Sequence, residues 1–171
     1  MPVKPRFTRE EIVAWEPVRK ALEVYHGTPD DIDSWMELVC KVRWNFPGLE
    51  TEEALDEHRQ TVSKFIQKHQ AVCVKDGENI VGVLLFSIKH NMICFLAVDP
   101  DYRQKGISSA LLEIAISRLD RTKDITVSTF REEDEKGVAP RALYRKFGFI
   151  EGELTVEFGY PNQVLVLKPM A

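Results

Sequence analysis

Apolar runs of membrane-spanning length, paired cysteines, clustered histidines and surplus positive charge are all missing from this chain of 171 residues. No segment is apolar over the length a bilayer demands, and the opening MPVKPRFTREEIVAW lacks the apolar centre of a secretory signal. A cytoplasmic location without membrane contact is the resulting expectation. The three cysteines, Cys40, Cys73 and Cys94, are odd in number and show no CxxC spacing. Because Cys73 and Cys94 lie within apolar runs, buried free thiols in a reducing compartment are expected rather than disulfides or a metal site. His26, His58, His69 and His90 form neither HxH nor HExxH, so no metal is expected. The net charge of −4 argues against a general nucleic-acid binder, whose affinity comes mostly from a basic face.

What is present describes one ordinary domain. Apolar residues make up 44% and charged residues 29%, enough to bury a core without staples. Residues 1–17 read as an N-terminal arm, with Thr8 and Glu11 spaced to box-cap a short helix through Trp15. The domain proper is expected over 18–171. Residues 20–26 alternate weakly, as a first strand. Asp30 or Asp31 opens a helix with Ile32, Trp35, Met36, Val39, Val42 and Phe46 at helical spacing, stopped by Pro47-Gly48. Trp35 fits the core stripe of that helix. Thr51, followed by Glu52 and Glu53, starts a second helix striped by Leu55, Val62, Phe65 and Ile66.

The period then shortens. Ala71–Val74, Ile80–Ile88 and Met92–Val98 predict an antiparallel meander, apolar on nearly every residue and so buried on both faces. Ile107, Ala110, Leu111, Ile114, Ala115 and Leu119 predict a helix, 125–130 a strand, 138–147 a short helix, and 154–158 with 164–168 a closing hairpin around Tyr160-Pro161-Asn162. The order β-α-α-β-β-β-α-β-α-β-β is a mixed α/β (α+β) fold, with a mostly antiparallel central sheet flanked by helices. The segment 92–130 forms one right-handed crossover.

The chemistry concentrates where the third strand of the meander ends. In Leu96-Ala97-Val98-Asp99-Pro100-Asp101-Tyr102-Arg103-Gln104-Lys105-Gly106-Ile107-Ser108-Ser109, a strand leads through a basic, glycine-containing turn straight into a helix. A helix N-terminus presents unpaired N–H groups and partial positive charge, Gly106 permits close approach, and Arg103 and Lys105 add full charges. The pattern suits a pyrophosphate.

This stretch resembles the Q/R-x-x-G-x-G/A signature of the GNAT superfamily of acetyl-CoA-dependent N-acetyltransferases, with its usual V-D-P-x-Y-R before it and A-L-L after it. A second segment, Arg141-Ala142-Leu143-Tyr144-Arg145-Lys146-Phe147-Gly148-Phe149, is similar to the family's A-x-x-L-Y-x-K-x-G-F, and the element order agrees over residues 18–168. The resemblance implies transfer of an acetyl group to a primary amine of a small molecule or protein, directly, in a ternary complex.

Carried over residue by residue, the resemblance places the pantetheine arm along Leu96, Ala97 and Val98 and the pyrophosphate on the amides of Gln104, Lys105, Gly106, Ile107, Ser108 and Ser109. Ser108 departs from the usual Gly or Ala. The Val98 N–H polarises the carbonyl, and Tyr144 holds the position from which many members protonate the sulfur. No base can be named, because Thr129 stands where some relatives carry Glu and Gly137 where a coenzyme-A-contacting Asn is common. Acceptor specificity in the family comes from the first two helices, their connection and the last hairpin, making Trp44, Phe46 and Tyr160 pocket candidates. A homodimer through Leu154–Phe158 and Val164–Leu167 is a further expectation. The alternative reading is a catalytically silent acyl-CoA-binding regulatory or sensing module.

Overall fold

In a computed structural model that describes residues 23–170, the chain runs β1 (Val24–His26), α1 (Ile32–Val42), α2 (Glu52–Gln67), β2 (Ala71–Asp76), β3 (Asn79–Ser87), β4 (Met92–Val98), α3 (Ile107–Arg118), β5 (Ile125–Phe130), α4 (Val138–Lys146), β6 (Ile150–Glu157) and β7 (Tyr160–Leu167). The expected arm over 1–17 and its short helix lie outside the described residues. Within them the element order is the expected one. The sheet is ordered β1-β2-β3-β4-β5-β7-β6, and every neighbouring pair is antiparallel except β4 and β5.

Local chemistry explains the element ends. Thr51 caps α2 by accepting a hydrogen bond from the Ala54 amide at 3.0 Å, with Glu52 and Glu53 against the positive end of the helix. The first helix stops at Val42, four residues short of the expected Phe46, and continues as a 3₁₀ turn over Arg43–Asn45. The Arg43 side chain draws the chain back there, donating to the carbonyls of Leu49 at 3.0 Å and Glu50 at 2.7 Å.

Two apolar layers cover the sheet. Val72, Val74, Leu84 and Phe86 pack with Leu111 and Leu112 of α3 and Tyr144 of α4. Cys73, Val83 and Leu85, from the same strands, pack on the opposite face with Trp35, Val39 and Val62 of α1 and α2. Successive strand residues point to opposite faces, so burial on both sides demands the unbroken apolar runs of β2 and β3. Trp35 and Cys73 are fully buried, and burial pushes the Cys73 thiol up to about 12. The expectation of buried thiols fails for the other two cysteines: Cys40 and Cys94 are exposed. Cys40 sits on the outer side of an amphipathic helix, and Cys94 lies where β4 leaves the covered part of the sheet.

Helix α4 is held by a polar anchor. Arg141, 4% exposed, donates to the Phe130 carbonyl at 3.1 Å, to Gln163 Oε1 at 2.9 Å and to Glu151 Oε1 at 2.7 Å. These bonds tie α4 to β5, β7 and β6 together. Replacing Arg141 by leucine is expected to lower stability by about 2–3 kcal/mol, less than for a fully buried pair because Glu151 half reaches solvent. Urea unfolding measures this, and a loss under about 1 kcal/mol would assign the network a minor part.

Candidate active site

The parallel pair β4 and β5 is where the sheet opens. The two strands are in register only at Met92–Thr126 and Ile93–Val127, and beyond Ile93 they part. On the other side β4 stays paired with β3 as far as Val98, and the Asp99 amide donates to the Val81 carbonyl at 2.8 Å. Because antiparallel bonding alternates, Phe95 and Ala97 share the bonding side of Asp99, while Leu96 and Val98 turn their N–H and C=O groups toward the gap. The splay therefore leaves free backbone donors and acceptors along the wall that the sequence singles out.

A helix entrance closes one end of this gap. Gly106 caps α3 at φ +80° with no side-chain hydrogen bond, so the amides of Ile107, Ser108 and Ser109 have no partner within the helix. Gln104 is also left-handed, at φ +62°. That conformation suits glycine and is tolerated less readily by glutamine. A β-carbon on Gly106 would meet no heavy atom within 4 Å, so the ground in front of these amides is open. The turn is held from beneath by Gly82 of β3, where a β-carbon would come 2.5 Å from Ile107 Cγ2. From the flank, Lys41 bridges Asp99 at 2.8 Å and Asp101 at 3.0 Å.

The gap and this entrance belong to one cleft of about 1000 Å³. It brings together Leu96, Ala97, Val98, Arg103, Gln104, Gly106, Ile107, Ser108, Ser109, Tyr144 and Phe46. Lys105, Trp44 and Tyr160 are not among its lining residues. Trp44 is 72% exposed and carries the Arg43 guanidinium 5.2 Å from its ring centre. The 3₁₀ turn sends Trp44 outward and leaves Phe46, two residues on, facing the cleft. Tyr160 is tied down instead, its hydroxyl donating to Asp134 at 2.5 Å and its ring edge-on to Phe130. The pocket expectation for these two aromatics does not match where their side chains lie.

Tyr144 reaches the cleft from the α3/α4 side of the sheet, its ring 5.5 Å from Phe149. Burial raises its hydroxyl well above the ordinary value near 10, so the tyrosine is neutral. Thr129 also lines the cleft and carries no charge. At Gly137 a β-carbon would stand 3.1 Å from both the Arg131 carbonyl and Phe130 Cβ. The backbone there is too tightly packed to accept an asparagine without movement, which accounts for the glycine.

The other end of the cleft was not legible in the sequence. His58 of α2, Phe65 one heptad further on, Phe95 of β4 and Phe158 of the last hairpin all line it. Phe158 lies against Gly48 (φ +96°), where a β-carbon would come within 2.8 Å of its ring, so the hairpin tip and the α1–α2 connection meet over the cleft. Helical spacing puts His58 and Phe65 on one face of α2, but only the folded sheet tells which face meets Phe95. The Cys94 thiol opens into the same cleft, and its apolar walls push the thiol up to about 11. Such a group is a poor nucleophile at neutral pH. Among the described residues no group of His, Cys, Asp and Glu side chains could hold a metal ion, and no helix is long and apolar enough to cross a membrane.

The arrangement has relatives among solved structures. It resembles an acetyltransferase of the GNAT family from Bacillus cereus, at 23% identity over 87% of this chain and 98% of that one, with a TM-score of 0.67. The ribosomal-protein-S18-alanine N-acetyltransferase from Escherichia coli is 18% identical over 87% and 95%, TM-score 0.65. The PaiA N-acetyltransferase from Thermoplasma acidophilum, solved in complex with coenzyme A, is 16% identical over 85% and 98%, TM-score 0.62. Curated proteins yield no match. Residues 67–151 match the acetyltransferase (GNAT) domain. The chain belongs to the GNAT acetyltransferase superfamily.

Proposed function

We propose that this protein transfers an acetyl group from acetyl-CoA to a primary amine, directly, within a ternary complex. The observation that carries the reading is the β4–β5 splay running into the uncapped N-terminus of α3, with Tyr144 on the cleft between them. The residues fit the co-substrate. Amides of Ile107, Ser108 and Ser109, flanked by Arg103, suit a pyrophosphate, and the free N–H and C=O groups of Leu96 and Val98 suit an amide-bearing arm. Acetyl-CoA supplies a thioester, whose carbonyl carbon the amine attacks. Val98 donates its N–H to the carbonyl oxygen as charge gathers there. A C–N bond forms and the nitrogen loses a proton, the C–S bond breaks, and Tyr144 gives the departing sulfur a proton that solvent later restores.

Direct transfer is supported by the state of Cys94, whose raised thiol is unsuited to carrying the acetyl group. The silent-module reading draws on Thr129 and Gly137, which hold neither the Glu nor the Asn of some relatives; the tight packing at Gly137 gives that residue a structural reason instead. Calorimetric titration with acetyl-CoA, followed by an assay of amine-dependent thiol release, tests the proposal. Binding and release together are expected. A folded protein that binds no acetyl-CoA would sink it.

We also infer a homodimer through the β6 edge; Val164–Leu167, expected to share it, belongs instead to β7, an inner strand between β5 and β6. Ile150, Leu154, Val156 and Phe158 are 53%, 60%, 64% and 81% exposed along that strand and its tip. An exposed apolar edge strand is a liability that a second copy would cover. Light scattering should give twice the monomer mass, and a clean monomer at micromolar concentration removes the inference.

A further inference from the structure

The end of the cleft remote from the α3 entrance is aromatic and built around one histidine. The His58 imidazole stands 4.7 Å from the Phe95 ring, and the Phe46 ring packs 4.5 Å from Phe95, tilted by 33°. Phe65 and the hairpin residue Phe158 complete the walls. Nε2 of His58 is buried and has no hydrogen-bond partner. A buried polar nitrogen left unpaired is costly, so such a group is retained where something else satisfies it. Burial alone holds the imidazole pKa down to about 4, so the ring is neutral at physiological pH and carries an unshared nitrogen lone pair. The ionisable groups elsewhere along the cleft are Cys94, Tyr102, Arg103, Glu135, Lys136, Tyr144 and Glu157.

Position matters as much as protonation. Phe95 immediately precedes Leu96, the first residue whose backbone faces the splay. His58 stands beside it on the α1/α2 side of the sheet, whereas Tyr144 belongs to the α3/α4 side. The two groups flank the β4–β5 gap from opposite faces, one placed to take a proton and the other to give one.

Resting on the acetyl-transfer reading, we propose that this pocket takes a primary amine carried on an apolar aryl or alkyl group, and that His58 accepts the proton the amine nitrogen loses as the C–N bond forms. Phenyl walls favour an apolar body, and a multiply charged acceptor would need anionic partners, of which this end of the cleft offers Glu157. The nitrogen's proton passes to the imidazole and on to solvent, the sulfur receives one from Tyr144, and solvent returns a proton to the tyrosine, so the products are the acetamide and free thiol.

The test measures thiol release with 2-phenylethylamine, butylamine, spermidine and lysine, in the wild type and in His58→Gln and His58→Ala variants whose melting temperatures and acetyl-CoA affinities are recorded. 2-Phenylethylamine is expected to exceed spermidine in kcat/KM by about tenfold or more. His58→Gln should lower kcat by roughly a hundredfold with acetyl-CoA affinity unchanged, and added imidazole should restore part of the rate in His58→Ala. A preference for spermidine or lysine would overturn the substrate class, and an unchanged kcat in His58→Gln would overturn the histidine's role. Thiol release from no amine, despite acetyl-CoA binding, would instead remove acetyl transfer itself and this proposal with it.

Discussion

Tryptophan in place of Gly106 is expected to weaken acetyl-CoA binding by about a hundredfold or more while the protein remains folded, whereas alanine there should cost about tenfold at most. Both side chains must adopt the left-handed backbone at φ +80°, a strain of about 1–3 kcal/mol. They differ in bulk. A β-carbon at Gly106 meets no heavy atom within 4 Å, so neither residue collides with the core, and an indole is free to lie across the amides of Ile107, Ser108 and Ser109. The ratio of the two affinities therefore isolates occlusion of the anion site from backbone strain. Calorimetry gives the affinities, and thermal melts confirm that the variants fold. Equal affinities in the two variants would mean that the pyrophosphate does not lie on this helix end.

Gly82 poses the opposite problem one layer down. Its missing β-carbon leaves the space that Ile107 Cγ2 occupies, so the same helix end is exposed to ligand above and locked to the sheet below. That division explains why the glycine of the turn was legible in the sequence and the one beneath it was not. Gly106 sits inside a motif whose order of basic turn and helix start already implies an anion. Gly82 sits in an apolar strand, and nothing local distinguishes a glycine that admits a neighbour from one that merely weakens the strand.

The same contrast runs through the fold. Periodicity located the helices and strands of the described residues because each buries a definite face, and the unbroken apolar runs of β2 and β3 announced a sheet covered on both sides. It misjudged Cys94 because an apolar run does not reveal where its strand parts from its neighbour. That parting follows from the two-residue register between β4 and β5, a long-range property. Trp44 and Phe46, two residues apart, diverge because Arg43 turns the chain with bonds to Leu49 and Glu50. His58 gave no signal for the same reason: its partner Phe95, and the Phe46 that packs on Phe95, come from other elements.

Tyr144→Phe is the substitution that separates an enzyme from a silent binding module. The phenyl ring keeps its contact with Phe149, and loss of one hydroxyl should change stability by about 1 kcal/mol or less. If the hydroxyl protonates the departing sulfur, kcat should fall by roughly 10²–10⁴-fold, a barrier increase of about 3–5 kcal/mol. The functional effect thus exceeds the structural one severalfold, and acetyl-CoA affinity should hardly move. The sign of the pH dependence follows from burial, which raises the tyrosine above its ordinary value near 10. The proton-bearing form persists through that pH, so wild-type kcat should show no descending limb from Tyr144 below about pH 10. A descending limb near pH 8 that vanishes in the phenylalanine variant would contradict the raised value. Unchanged turnover in that variant would take the acid role from Tyr144 and leave the sulfur to be protonated by solvent entering along the cleft.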